Sequence, residues 1–410
     1  MGINIGKQKK QVISLYSASV FGLLVGVAVS VLNTRFLDPD EYGDVRYVQN
    51  MISFISGLLL LGYFVSGSRL LALSKDEQYS RSIRGIMVAI LCIAIVFVMI
   101  CMLIFAVANN NIGKTNLAIL FFYAIPVCGN VLMLHYINTV AQGDNHIGRI
   151  SIARLVPSVI YLITAFPIFH VLGASGELML LLYNGASVLV LSLVIWSTRP
   201  SFKNLKESFA KINVENRKYG FNVYMGSIIG VSTQYIAGIS LGHFCIDNSN
   251  VGFYTLGLTL ASPLSMLPGI IGTTYFKKFA KDQKIDNRVF VYSIIITLLS
   301  LVVFWIFIKY IVAFLYSASY AHVSSIASYL AIGTCMHGFG DMINRFLGAH
   351  GKGKEIRNGA INCGLCSIIG NVLLVYLWGI NGSIVTKIMA SGVYILSMLY
   401  YYSSLKNNCL

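Results

Sequence analysis

Apolar stretches of bilayer-spanning length recur along almost the whole 410-residue chain, and they constrain its fold more than any other feature. A spanning helix needs about 20 mainly apolar residues. Lipid offers no hydrogen-bond partners, so each buried stretch must satisfy its own backbone as a helix. Walking the sequence gives twelve segments: 11–34, 44–72, 83–108, 116–141, 150–172, 176–198, 218–243, 251–277, 289–315, 321–347, 357–379 and 382–404. Composition agrees: 11% of residues are charged and mean hydropathy is +0.74, whereas soluble domains carry roughly 25% charge. The expected fold class is therefore all-α integral membrane protein. The first stretch, from Val12 to Leu32, exceeds the about 7–15 apolar residues of a secretion signal and lacks a small-x-small cleavage site, so it reads as a retained helix.

Lys and Arg in short loops set orientation. With the amino terminus inside, 25 of the 30 basic residues collect on the cytoplasmic side, from Lys7, Lys9 and Lys10 through Lys75, Arg84, Arg149 and Lys277 to Lys406. Arg35, Arg46, Lys114 and Lys309 lie opposite, and Lys387 falls inside the last span. Both termini are thus expected in the cytoplasm. Topology accounts for the net charge of +15, and no nucleic acid partner is expected. The longest hydrophilic connection, 199–217, reads as a cytoplasmic linker between an amino-terminal six-helix bundle, 1–198, and a carboxy-terminal one, 218–410. Most of the eight cysteines lie in apolar runs and read as small core residues, Cys363-Gly-Leu-Cys366 among them. No metal site is expected.

The two halves match internally. Asp38-Pro-Asp-Glu-Tyr-Gly43 aligns with Asp247-Asn-Ser-Asn-Val-Gly252 at an offset of 209, and Ala141-Gln-Gly143 with Arg149 aligns with Ala349-His-Gly351 with Arg357 at an offset of 208. Each half holds an even number of spans. Both copies therefore enter the membrane in the same sense, and a pseudo-twofold axis along the membrane normal follows, with alternating access as the natural mechanism.

Asn33-Thr-Arg-Phe-Leu-Asp-Pro-Asp-Glu-Tyr-Gly43 resembles the R-x-L-x-P-x-E-Y-G segment that ends the first helix of Wzx-type polysaccharide flippases. Val251-Gly-Phe-Tyr254 is similar to the opening of their eighth helix, and the loops ending at Arg149 and Arg357 resemble their cytoplasmic loops. That superfamily includes the multidrug and toxic compound extrusion (MATE) transporters and the lipid II flippases. The resemblance implies a MATE-like pair of bundles around a partly cationic cavity. It also implies an undecaprenyl-pyrophosphate-linked oligosaccharide as substrate, in the bacterial inner membrane, for O-antigen or other surface polysaccharide synthesis. Membrane lipids, a polysaccharide polymerase and a chain-length regulator are the partners it suggests. No cofactor is expected beyond a proton or sodium gradient.

Polar residues inside spans are costly and point to function. Arg46, Asn50, Ser53 and Gly57 share one helical face, and the matching face of the eighth span carries Thr255, Thr259, Ser262 and Met266. As a cavity wall this face would attract pyrophosphate through the Arg46 fork; alternatively Arg46 snorkels and pairs with Glu41 or Asp44. Lys387 could line the same cavity or snorkel outward. His337, Asp341 and Arg345 follow at four-residue steps, with Asn344 beside them. They are candidates for ion coupling, against an Asp341–Arg345 ion pair. Asn222, Gly226, Gly230 and Thr233 form another stripe, suited to sugar or to helix packing. Arg35, Arg154 and His135 are weaker candidates. No catalytic residues are expected, because the chain carries no paired acid and base, no GxSxG, HExxH or P-loop, and no large outer loop. A cation-coupled multidrug exporter remains the alternative transporter, and a membrane-embedded polymerase or ligase the alternative enzyme.

Overall fold

The computed structural model describes residues 5–407 apart from Lys75 and Ile147. Lys75 and Cys409 lie outside the described residues, as do the side chains of Lys7, Lys9, Lys10, Lys277 and Lys406. Every regular element among the described residues is helical, and each expected apolar segment falls on a helix or a broken pair. Among the described residues eight helices are long and apolar enough to cross a bilayer; a bent pair makes up to nine.

Packing divides the chain into two compact units: Met1–Leu37 with Val48–Ile228, and Asp38–Tyr47 with Ile229–Leu410. The first contains α1 (Ile5–Phe36), most of α2 (Pro39–Leu58), α3 (Tyr63–Leu73), α4 (Glu77–Asn111), α5 (Thr115–Ala124), α6 (Asn130–Gly143), α7 (Gly148–Leu172), α8 (Gly176–Ser197), α9 (Leu205–Glu215) and the start of α10 (Phe221–Phe244). There α1 packs on α7, α3 on α6, α4 on α5 and α7 on α8, around fully buried Met87, Phe121, Tyr136 and Tyr161. Two spans are interrupted. α2 and α3 are bent by 59°, and α5 gives way to α6 through a 3-10 turn at Ile125–Val127 containing Pro126, which cannot donate to the helical ladder.

The second unit holds the start of α2, the rest of α10, α11 (Ser249–Thr274), α12 (Phe276–Phe279), α13 (Asn287–Leu315), α14 (Val323–Ala349), α15 (Gly353–Trp378) and α16 (Ile380–Asn407). α14 packs on both α11 and α16, and α15 lies along α16. Phe279, Met342, Ile343, Phe346 and Met398 form the apolar centre at one end. On α13 only 17% of the most apolar window is buried, and Ile295, Leu299, Val302 and Trp305 face outward. In water such a surface would aggregate; in acyl chains it is at home.

One cation is withdrawn from solvent among several acceptors. The Arg84 guanidinium, its side chain 9% exposed, meets Asp144, 6% exposed, at 3.0 Å. It also donates to Glu77 Oε1 at 3.0 Å and to the Thr198 carbonyl at 3.0 Å. One buried cation thus ties the starts of α4 and the α6–α7 loop to the end of α8, and removing either partner of such a pair strands a charge.

The repeated motif has a structural meaning within the second unit. Gly43 and Gly252 face each other: a Cβ on Gly43 would lie 1.9 Å from the Asn248 carbonyl oxygen, and one on Gly252 would lie 3.1 Å from the Tyr42 ring and 3.4 Å from Gly43 Cα. Asn248 Nδ2 donates to Asp44 Oδ1 at 2.6 Å across the same junction. The obstacle at Gly43 is backbone, which cannot swing aside as a side chain can. Gly43→Ala should therefore cost about 1–3 kcal/mol or more and lower the melting temperature in detergent. Gly230→Ala, where nothing lies within 4 Å, should not. Equal melting temperatures for the two variants would contradict this packing.

Candidate functional site

A column of ionisable and aromatic side chains runs between α14 and α16 in the second unit. Both helices place their polar residues at one-turn or two-turn intervals, so each set lies on a single face. Gly333 on α14 abuts Lys387 on α16; a Cβ there would meet the Lys387 carbonyl oxygen at 3.1 Å and its Cγ at 3.2 Å. One turn further along, the His337 ring stacks on Tyr394 with centroids 4.6 Å apart and planes 23° apart. The Tyr394 hydroxyl donates to Asp341 Oδ1 at 3.0 Å and accepts from Asn344 Nδ2 at 2.8 Å. Lys387 and Asp341 each lie within electrostatic reach of both His337 and Cys363. The His337 Nδ1 atom is buried without a hydrogen-bond partner among the described residues.

This geometry sorts the sequence candidates. His337, Asp341, Asn344 and Lys387 come together. Arg345, one turn beyond Asp341, is exposed, and Asp341 takes its hydrogen bond from Tyr394 instead of pairing with it. Tyr394 escaped sequence reasoning because it lies 53 residues from Asp341. Its place two turns after Lys387 on the same helical face was the available signal.

The remaining candidates sit elsewhere. Arg46, half-buried in the second unit, donates from Nε to the Tyr42 hydroxyl at 2.8 Å, and its guanidinium carbon lies 4.9 Å from the centroid of that ring. Thr255 and Thr259 are half-buried on α11, and the Thr259 hydroxyl donates to the Thr255 carbonyl at 2.8 Å, within its own helix. Asn50 and Ser53 are half-buried on the part of α2 that belongs to the first unit, whereas Asn222 at the start of α10 is exposed. Arg35 and Arg154 are exposed. His135 is half-buried on α6 within electrostatic reach of Arg154. Among the described residues no group of three or more His, Cys, Asp or Glu side chains could hold a metal ion.

A many-helix fold with broad apolar outer surfaces and polar groups gathered inside its units is that of a multi-pass membrane protein. The family model described as "Polysaccharide biosynthesis protein" matches residues 9–281. The chain belongs to that family. No curated protein matches its sequence. Among solved structures, the lipid II flippase MurJ in an inward closed conformation is similar with a TM-score of 0.73 at 15% identity, covering 95% of this chain and 87% of that one. An inward-facing multidrug resistance MATE family transporter gives a TM-score of 0.66 at 15% identity, covering 94% and 96%. Its outward-facing counterpart gives 0.62 at 16%, covering 97% of each chain. At these identities the likeness is one of fold. The α14–α16 column lies beyond the residues that the family model matches.

Tyr394 is the centre of the column's hydrogen bonding, since it bridges Asn344 and Asp341. Tyr394→Phe should destabilise the protein by about 1–3 kcal/mol, the range for stranding buried polar groups. Asp341→Asn keeps an acceptor oxygen for the hydroxyl and should cost less. Thermal unfolding in nanodiscs checks the order, and a larger loss for Asp341→Asn would show that the charge, not the hydroxyl bond, holds the column.

Proposed function

We propose that this chain moves an oligosaccharide linked to undecaprenyl pyrophosphate from the cytoplasmic to the periplasmic leaflet of a bacterial inner membrane by alternating access, supplying O-antigen or another surface polysaccharide. One conjunction carries the reading: a member of the polysaccharide biosynthesis family has the fold of a lipid II flippase. In this reading both termini are cytoplasmic, the two bundles are the moving parts, and a polymerase and a chain-length regulator receive the product. The chain is a transporter and not an enzyme. Arg46, Asn50, Ser53, Thr255, Thr259, Asn222 and Lys387 meet the substrate. Tyr42 holds the Arg46 guanidinium in place, which favours a directed contact to phosphate oxygens over a freely snorkelling cation.

Coupling to a proton or sodium gradient falls to Asp341 and His337. The support is their placement: a carboxylate and an imidazole lie on one helix face, joined through Tyr394, with Lys387 nearby. Intramembrane chains of this kind recur as ion pathways.

Two experiments test the proposal. Cells lacking the gene should strand lipid-linked repeat units on the inner leaflet, and neither Arg46→Ala nor Arg46→Lys at normal membrane levels should restore surface polysaccharide. Intact polysaccharide with reduced drug tolerance would replace this reading with a multidrug exporter. In proteoliposomes, Asp341→Asn should transport at a rate indifferent to imposed proton or sodium gradients. A gradient dependence matching the unsubstituted protein would remove Asp341 from coupling.

A further inference from the structure

The break between α2 and α3 is closed by side chains from another part of the chain. In an unbroken helix the Leu58 and Leu61 carbonyls would accept from the Gly62 and Val65 backbone N–H groups. Here the Leu58 carbonyl accepts from the Tyr224 hydroxyl, and the Leu61 carbonyl accepts from Asn216 Nδ2 at 3.1 Å. The same Asn216 amide takes a hydrogen bond through Oδ1 from Ser66 at 3.1 Å, so one buried side chain grips the span on both sides of its break. The backbone itself is bent out of the right-handed region, with Leu61 at φ 46° and Gly62 at φ 80°. A left-handed leucine costs free energy unless its surroundings hold it there. Gly62 and Gly220 touch so closely that a Cβ on the first would lie 2.5 Å from the carbonyl of the second.

The half-span beyond the break is gripped as well. Arg69 meets Glu215 at 2.6 Å, the Tyr63 hydroxyl donates to Asn213 Oδ1 at 3.3 Å, and the Tyr63 and Phe209 rings stack at 6.2 Å. All three partners lie on α9. A π-helical turn, Asn216–Gly220, then joins α9 to α10; such turns are strained and recur at functional sites. The bent span, the linker helix and the start of α10 therefore form one joint inside the first unit.

We infer that Asn216 and Tyr224 are positioning residues that hold α2 and α3 in the bent state, and that the span straightens when they release it. At the two carbonyls themselves the exchange is one for one: two side-chain bonds are given up, and two main-chain bonds in a continuous helix replace them. Such an exchange makes an element with two discrete arrangements. Straightening would redirect the α2 face that carries Asn50 and Ser53. Only that last consequence rests on the proposed transport; the joint itself does not.

Spin labels at Phe54 and Leu73, introduced as an unnatural amino acid into the full chain in nanodiscs, report the joint by pulsed electron resonance. A straight helix would put these backbone positions about 28 Å apart, and the bend brings them closer. Tyr224→Phe deletes one hydroxyl. Asn216→Asp keeps the acceptor for Ser66 but loses the donor to Leu61. Each variant should at least double the population at the longer separation and slow lipid-linked oligosaccharide transport several-fold. Tyr224→Phe is nearly isosteric, so it keeps the test open should Asn216→Asp fail to fold. Unchanged distances in Tyr224→Phe overturn the inference even if transport falls. Altered distances with an unchanged transport rate support the joint and refute only the redirection of Asn50 and Ser53 as a step in transport. Transport of drugs alone, with distances shifted as expected, would refute the proposed substrate and leave the joint standing.

Discussion

Inside a bilayer a backbone N–H or C=O has no water to bond, and each orphaned group costs several kcal/mol. That constraint organises everything else in this chain. It makes the apolar segments helices, and it decides where they are able to stop being helices. Where α2 gives way to α3, the carbonyls of Leu58 and Leu61 are met by Tyr224 and Asn216. Where α5 gives way to α6, Pro126 removes a donor just as the ladder tightens into a 3-10 turn. Interruptions of this kind need partners at hand, so they fall where other chain segments already pack.

The same economy governs charge. Arg84 is buried only because Asp144, Glu77 and the Thr198 carbonyl surround it, and such a group is stable as a set more than as a sum of pairs. The α14–α16 column gathers its polar groups around Tyr394. Tyr394 satisfies Asp341 and Asn344, yet His337 retains a buried nitrogen without a partner among the described residues.

Much of this was legible in the residues. Hydropathy located the helices, since lipid solvation acts on each segment separately. The offset between Asp38–Gly43 and Asp247–Gly252 marked a repeat. The structure then showed why both copies end in glycine: they pack against each other, with Asn248 bonded to Asp44. Contact between segments about 200 residues apart leaves no trace in local periodicity. For the same reason Tyr394 was not seen as the partner of Asp341, and the 199–217 stretch read as a surface connection although its α9 grips Tyr63 and Arg69.

The sequence by itself determined the solvent of this protein, its helical class and the faces on which polar residues gather, because apolar length and 3.6-residue periodicity are local properties. Tertiary structure alone decided which of those faces meet. It paired Asp341 with Tyr394, gave Arg46 to Tyr42, and set the bend between α2 and α3 on Asn216. Each choice depends on two helices approaching within hydrogen-bond distance, and that approach is fixed by packing over the whole unit.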